Sequence, residues 1–382
     1  MHKKVAIILV NYKDYVNRFL AECRDSLRAQ NYPRDLYKVY IIDNASSEDS
    51  KKYIKENYPE AIIVPRSDGN YAAANNAGLR KGREDGCELF VIANMDTKFD
   101  SAWLGELVGA VESDPKIGIA QSKMLLYPKT AEEWKNPKIN SLGNIMHYLG
   151  FGFTSFYGQK DEKFPLPPSA SRRIKGGKNG YPEINGYASG CSFIIKKDVL
   201  DKIGGYNEEF YMYHDDIEMS WKTKLVGYRI VLAPKSIMYH KYEFGRSILM
   251  LYYMERNRYI IMFTFYKLPT LLLVAPAIIF MDLGMLFYSI LSGWFKVKIR
   301  VYSYFLKPSS WIKVFQARKE VKKMRRVNPH TKNFGVGVKD RDIVKYFSGE
   351  ILFQEISNPV LKYIANPIFN LYWQAVKRVI FW

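Results

Sequence analysis

The chain has 382 residues, is 48% apolar and carries a formal net charge of +19, enough for one large or two ordinary domains with a sizeable core. Its three cysteines, Cys23, Cys87 and Cys191, show no CxxC pair and no zinc-ligand spacing, which argues against a disulfide framework and for reducing cytosol. The charge is uneven: Lys241–Trp382 holds 23 Lys and Arg against 8 Asp and Glu, a net +15, so an anionic surface is the expected partner of the C-terminal third.

The six-residue apolar run Val5–Val10 predicts a central parallel strand buried on both faces. It is too short for the apolar region of a signal peptide, and no small-residue cleavage site follows it. Asp14–Gln30 predicts a helix, with Val16, Phe19, Leu20, Cys23 and Leu27 at helical spacing. Val39–Ile42 is the next strand. Ser46 with Asp49 resembles a capping box that opens a helix through Tyr58, and Ala61–Val64 is a third strand. Ala72–Gly86 reads as a helix rich in small residues, Leu89–Ala93 as a strand and Ala102–Glu112 as a helix. This alternation implies an α/β fold with a parallel, doubly wound sheet.

From Tyr127 to Gly186 Pro, Gly, Lys and aromatic residues dominate, and a stretch of this length without a period is functional or mobile. Order returns with a strand at Ala188–Ile195 and a helix at Lys197–Ile203 closed by Gly204–Gly205. A helix at Asp215–Val226 stops at Gly227, a left-handed cap, and a strand follows at Tyr228–Ala233.

The character changes after Arg256. Leu268–Trp294 has 27 residues and one charge, Asp282. As one helix it would measure about 40 Å, against a hydrocarbon core of about 30 Å. Pro269, Pro276, Gly284 and Gly293 interrupt it, and basic residues flank both ends, with 11 Lys and Arg against one Glu from Lys296 to Arg326. A span would put one basic flank outside. The expectation is therefore two short helices that dip into or lie along one leaflet, with a true span as the alternative. Ile368–Trp382 places Ile368, Leu371, Tyr372, Ala375, Val376, Val379 and Ile380 on one face, as in an interfacial helix or a helix docked on the body.

Acidic residues end two of the strand-like runs: Asp43 in IIDNASSEDS and Asp96 in FVIANMDTKFD. Asp215 and Asp216 open a helix in YMYHDDIEMSWK, and His240 follows in IMYHKYEFGRS. Ligands of open α/β sheets bind at the carboxyl ends of the strands. Such a site suits a phosphate-bearing ligand with a divalent metal and leaves one carboxylate to act as a base.

Taken in order, VNY, IIDNASSED, GNYAAANNAG, ANMD, INGYASGCSFIIKKDVLDKIGGYNEEFYMYHDDIEMSWK, YHKYEFGRS and YMERNRY resemble the family 2 glycosyltransferases of GT-A fold, and among them the rhamnosyltransferase-like branch. The resemblance covers about residues 5–326. It implies an inverting, Mg²⁺- or Mn²⁺-dependent enzyme that moves a rhamnose-like or other hexose from a nucleoside-diphosphate sugar. The acceptor would be a hydroxyl of a lipid-linked or cell-surface glycan at the cytoplasmic membrane face. The expected organisation is a catalytic domain over 1–250, a membrane-associated helical region over 251–330 and a tail with an amphipathic helix over 331–382.

The resemblance gives each residue an expected role. Asn11, Asp43, Asn75, Asn76, Asn94 and Asp96 would bind the donor. Asp43 can accept from a nucleobase N–H or a ribose hydroxyl; the alternative is an Asx-turn residue. Asn75 stands where many relatives carry Arg, which removes a cation from the diphosphate region. Asp96 would be the principal metal ligand, and the neutral Asn94 would meet ribose or a metal-bound water. His240 would complete the metal site as neutral imidazole. Asp216 would be the base and Asp215 would bind an acceptor hydroxyl or orient it. Gly190, Trp134 and Arg246 are expected at the acceptor or sugar pocket. Two other classes fit fewer features: a non-catalytic membrane-bound scaffold, favoured only by Asn94, and a nucleic-acid binder. The basic stretch directly follows an apolar segment, which favours lipid headgroups over nucleic acid.

Overall fold

The computed structural model describes residues 3–161, 174–175, 180–243, 250–326, 337–352 and 359–382. Arg246 lies outside them. The chain forms two compact units. The first holds Met1–Asn144, Thr154–Lys224 and Tyr228–Tyr242; the second holds Ile145–Phe153, Leu225–Gly227 and Glu243–Trp382.

The strands are β1 (Val5–Tyr12), β2 (Tyr37–Asn44), β3 (Ile62–Arg66), β4 (Leu89–Ala93), β5 (Thr97–Phe99), β6 (Ile117–Leu126), β7 (Ile139–Ser141), β8 (Asn144–Met146), β9 (Gly152–Thr154), β10 (Ile174–Lys175), β11 (Glu183–Ile184), β12 (Ser192–Lys196) and β13 (Arg229–His240). The main sheet of the first unit runs β10-β11-β13-β6-β12-β4-β1-β2-β3, with β5 added to β13 and β7 to β6. β3, β2, β1 and β4 are parallel neighbours, and β6 and β13 are parallel to each other. β12 lies antiparallel between β4 and β6, so it is the one reversed strand in the centre of a mainly parallel sheet.

The continuous apolar runs of β1 and β4 are buried on both faces, as their composition demands. Val5, Ile7 and Leu9 share a core with Val16, Leu20 and Cys23 of helix Tyr15–Arg28 and with Trp103, Leu104 and Leu107 of helix Trp103–Glu112. Ile8 meets helix Tyr71–Glu84, where a Cβ on Gly78 would fall 2.6 Å from Ile8 Cγ2. Gly78 thus serves close packing of helix on sheet.

Three local expectations change. The helix cap after β2 is Ser47, not Ser46: Ser47 Oγ accepts from the Ser50 N–H at 3.2 Å. β6 escapes the sequence reading because Gln121 and Ser122 interrupt its apolar run. Both are buried and bonded: Gln121 Oε1 accepts from Ser189 N at 2.8 Å, and Ser122 Oγ accepts from Trp103 Nε1 at 2.9 Å. β13 continues seven residues beyond Ala233, to His240, because a register shift between Ala233 and Ile237 absorbs Pro234. That extension carries His240 to the ligand end of the sheet.

In the second unit the apolar segment is one continuous helix, Leu268–Leu291, and not two short ones. Pro276 lies within it, on its exposed side. Helices Leu251–Phe265, Phe295–Phe305, Pro308–Met324, Asp340–Val344 and Asn366–Val379 lie in the same unit. Asn366–Val379 docks through Phe369, Trp373 and Val376, with the Trp373 ring stacked on Tyr148 at 4.6 Å, and leaves Ile368, Leu371 and Val379 exposed.

Candidate active site

The ends of β1 and β2 bring Asn11 and Asp43 side by side in register. Asn11 Nδ2 donates to Asp43 Oδ1 at 2.7 Å, and Asn11 Oδ1 accepts from the Val16 N–H at 3.1 Å. Asn11 therefore fixes the carboxylate and ties it to the start of the following helix. Next to them, Asn44 holds the β3–helix loop by accepting from Gly69 N at 3.1 Å and donating to Asn70 O at 3.2 Å.

Helix Tyr71–Glu84 starts under the turn that precedes Asp215. The Tyr211 carbonyl accepts from Tyr71 N at 2.8 Å and Ala72 N at 3.1 Å. Asn76 acts as a clamp: its Oδ1 accepts from Tyr206 N at 2.8 Å, and its Nδ2 donates to Tyr206 O and Glu208 Oε1, both at 2.9 Å. Those three bonds commit the Asn76 amide to the Tyr206–Glu208 segment. Asn75 is fully buried and donates to Tyr71 O at 3.0 Å, while its Oδ1 has no partner. Tyr71 was not singled out from the sequence. Its hydroxyl donates to Asn94 Oδ1 at 3.3 Å, which ties this helix to the end of β4.

Asp96 follows β4 in the bend that leads to β5. Its carboxylate Oδ1 lies 3.5 Å from His240 Nε2, and both residues are buried. His240 Nδ1 lies 3.0 Å from Asn140 Oδ1, so Nδ1 carries a proton and Nε2 is the atom turned to Asp96. Burial by itself disfavours the imidazolium, but Cys191 and the Asp96 carboxylate outweigh it and push His240 up to about 10. A cation bound at Nε2 would therefore have to displace a proton to meet the neutral imidazole that the sequence reading expects. Asn140 and Cys191 meet His240 only through the tertiary fold, and no spacing in the sequence marks them. Among the described residues no group of three or more His, Cys, Asp and Glu is arranged to hold a cation. Asp96 and His240 supply one carboxylate and one imidazole. That pair would need phosphate oxygens and water to complete the shell of a divalent ion, the carboxylate being the ligand type that suits Mg²⁺ or Mn²⁺.

Asp215 and Asp216 open helix Asp215–Leu225 directly after a strained turn. Tyr211, Tyr213 and His214 all have positive φ, between 63° and 65°, which is costly for residues of this size. Strain of this kind persists where surrounding contacts over-determine it, and it concentrates at functional sites. Glu218 supports the turn from below: it accepts from Asn207 N at 2.9 Å and pairs with Lys222 at 2.7 Å.

The two carboxyls differ. Burial and the Asp216 charge push Asp215 well above the ordinary carboxylate range. Burial also raises Asp216, but N–H bonds from Gly190 at 3.3 Å and Ile217 at 2.8 Å pull it back to about 6. Both shifts are upward, and the Gly190 and Ile217 N–H groups favour charge on Asp216 over charge on Asp215. Gly190 borders this carboxylate through its N–H.

Trp134 is 41% exposed and stands on helix Ala131–Lys135, its ring 5.0 Å from Tyr239 and 5.7 Å from Tyr127, with Lys98 Nζ 4.9 Å over it. Tyr239 and His240 are adjacent in β13, so their side chains point to opposite faces of the sheet. The structure therefore groups Trp134 with the Glu22–Lys98–Lys241 cluster.

The family model described as Glycosyl transferase family 2 matches residues 6–204, just over half of the chain. The O-antigen biosynthesis protein RfbC of Myxococcus xanthus is 26% identical over 62% of this chain, which corresponds to 17% of its own length. The N-acetylglucosaminyl-diphospho-decaprenol L-rhamnosyltransferase of Mycobacterium tuberculosis is 23% identical over 53% of this chain and 66% of its own length. The chain thus matches less than two thirds of each of these relatives. A crystal structure of GalNAc-T7 with UDP, GalNAc and Mn²⁺ aligns at a TM-score of 0.52 and 16% identity, covering 70% of this chain and 48% of that one, and it shares the fold. The sheet and its connections are of GT-A type, and the chain belongs to glycosyl transferase family 2.

Proposed function

We propose that this enzyme is an inverting glycosyltransferase. It moves a rhamnose-like or other hexose from a nucleoside-diphosphate donor to a hydroxyl of a lipid-linked or cell-surface glycan at the cytoplasmic membrane face. The observation that carries the reading is the Asp216 carboxylate, buried beside Asp215 at a helix start and held by the Gly190 and Ile217 N–H groups, in the same unit as Asp43 and Asp96. The relatives named as an N-acetylglucosaminyl-diphospho-decaprenol L-rhamnosyltransferase and an O-antigen biosynthesis protein support the donor and acceptor classes.

In this reading Asp43, oriented by Asn11, accepts from the nucleoside. Asn94, oriented by Tyr71, meets the ribose. Asn75, bonded to Tyr71 O, braces the helix start that carries Tyr71, and Asn76 positions the turn before Asp215. The acceptor oxygen attacks C1 from the face opposite the diphosphate and gives its proton to Asp216, while the C1–O bond breaks and its electron pair leaves with the nucleoside diphosphate. Asp215, whose ionised form burial and the Asp216 charge disfavour, hydrogen-bonds the acceptor. A Mg²⁺ or Mn²⁺ held by Asp96 and His240 would neutralise charge on the departing diphosphate.

Two expected outcomes follow from the donor site. With Mn²⁺, saturating nucleoside diphosphate should raise the thermal midpoint of the wild type; about 2.7 kcal/mol of stabilisation corresponds to ligand at 100 times Kd. Asp96→Ala should lose most of that shift, and an equal shift in the variant would remove Asp96 from the ion. Tyr71→Phe deletes one hydrogen bond worth about 0.5–1.5 kcal/mol, so donor KM should rise up to roughly tenfold with acceptor KM unchanged. A change confined to acceptor KM would contradict the placement of Asn94 at the ribose. The reading as a whole is tested by screening nucleotide sugars for metal-dependent release of nucleoside diphosphate, with membrane lipid extract as acceptor.

A further inference from the structure

Among the described residues Leu268–Leu291 is the one helix long and apolar enough to cross a membrane. Its burial is one-sided. Thr270, Val274, Ala277, Met281 and Ser289 form a buried stripe along its whole length. Leu272, Ile279, Leu283, Phe287 and Ile290 form the opposite stripe, each at least 58% exposed. A helix at a water surface would carry polar residues there.

The chain that leaves this helix comes back along it. At its middle, Lys298 pairs with Asp282 at 2.6 Å and with Glu255 at 2.9 Å, and Tyr302 donates to Asp282 at 2.7 Å. At its beginning, Arg318 donates to Phe263 O and Tyr266 O, both at 2.6 Å. Arg325 donates to Phe265 O at 2.7 Å and to Asp340 Oδ1 at 2.5 Å. Asp340 Oδ2 in turn accepts from Lys267 N at 2.8 Å and Thr270 Oγ1 at 2.6 Å. The segment from Phe295 to Arg325 therefore retraces the helix from end to start.

If Leu268–Leu291 crossed a bilayer, that return path would cross it too. It carries the exposed cations Lys296, Arg300, Lys307, Lys313, Lys319 and Lys322. Each charge at the bilayer centre costs at least about 2.5–3.5 kcal/mol. The same cations suit an anionic headgroup layer, where each contributes about 1 kcal/mol. Exposed apolar side chains continue on the adjoining helices, at Phe295, Ile299, Ile312 and Phe315 and at Ile368 and Leu371. Interleaved apolar and basic exposure of this kind matches a lipid surface better than a second copy of the same net-basic chain.

We propose that the helical unit is monotopic: Leu268–Leu291 lies in the plane of one leaflet, its outer stripe in the acyl boundary, with both ends on the cytoplasmic side. The seat is built by the Glu255–Lys298–Asp282 cluster and the Arg325–Asp340 pair, which hold the returning basic helices alongside it. The inference rests on the membrane-associated reading above and fixes its geometry.

The test uses the full chain. Cys23, Cys87 and Cys191 are buried, so introduced cysteines report alone. Lys339→Cys, next to Asp340, marks the start of the helix, and Lys296→Cys marks its end. In membranes of the expression host, both should react with an impermeant maleimide in inverted vesicles and neither in right-side-out vesicles. Labelling of Lys296→Cys only in right-side-out vesicles would establish a span and overturn the proposal, with membrane association left standing. The double variant Leu283→Glu, Phe287→Glu should leave the membrane fraction at least tenfold more readily while keeping its nucleoside-diphosphate thermal shift. Full retention of the double variant in membranes would also overturn the proposal. A wild type that is soluble and sediments as a dimer would assign the stripe to a second copy, and would remove the membrane reading along with it.

Discussion

Asp216→Asn is expected to lower the transfer rate by about 10²–10⁴-fold, the usual worth of a positioned general base, with donor KM close to that of the wild type. The substitution keeps the size of the side chain and removes only its ability to take a proton. Asp215→Asn should be milder, because burial and the Asp216 charge already disfavour the ionised form of Asp215, and an amide can still donate. The pH dependence separates the two further. Asp216 has its pKa raised to about 6, so the wild-type rate should fall as pH drops through about 6. Fold stability runs the other way. A carboxylate whose folded pKa lies above its unfolded value stabilises the fold most at low pH, and that contribution is lost as pH rises through the folded value. Activity should therefore rise across the window in which this pair's contribution to stability declines. Unchanged turnover in Asp216→Asn would remove the base from this position.

Glu255→Met is expected to destabilise the helical unit by about 3–5 kcal/mol, the cost of removing one partner from a buried ion pair. Glu255 accepts from Arg258 at 3.2 and 3.1 Å and pairs with Lys298 at 2.9 Å, and all three side chains are buried. Burial alone would raise the Glu255 pKa, but Arg258 and Lys298 bring it down to about 2. A depressed carboxylate contributes stability above its unfolded pKa and loses it as pH falls through the folded value. The cluster should therefore persist across the physiological range and fail only in strong acid. In the variant, Arg258 keeps the Leu149 carbonyl at 3.2 Å but no carboxylate. Urea unfolding followed by tryptophan fluorescence measures the loss. A cost below about 1 kcal/mol would mean that the cluster relaxes onto other partners.

Much of the catalytic unit is legible in the sequence because its chemistry is local. β1 and β4 are continuous apolar runs, and the residues that end the strands announce a polar site by type. Legibility fails where a tertiary partner decides. β6 hides because Gln121 and Ser122 read as loop until Trp103 and Ser189 are seen bonded to them. β13 hides its last seven residues behind Pro234, so His240 appears to follow a strand when it ends one. Tyr71 sits in a motif whose small residues draw attention first, and only the fold shows its hydroxyl on Asn94. Asp215 and Asp216 look equivalent, yet the Gly190 and Ile217 N–H groups favour the charge on one of them. In the C-terminal third, Pro276 suggested a break, but the helix continues through it. Asn366–Val379 is apolar on more than one side, and only Trp373 against Tyr148 shows which face docks.

The most direct test of the central claim is single-turnover release of nucleoside diphosphate from a nucleotide-sugar donor, measured with Mn²⁺ and a lipid-extract acceptor for the wild type and Asp216→Asn side by side. Acceptor-dependent release by the wild type, at least 100-fold slower in the variant with donor binding intact, is the expected result. Release that is equal in the two proteins, or donor binding without acceptor-dependent turnover in either, would contradict it.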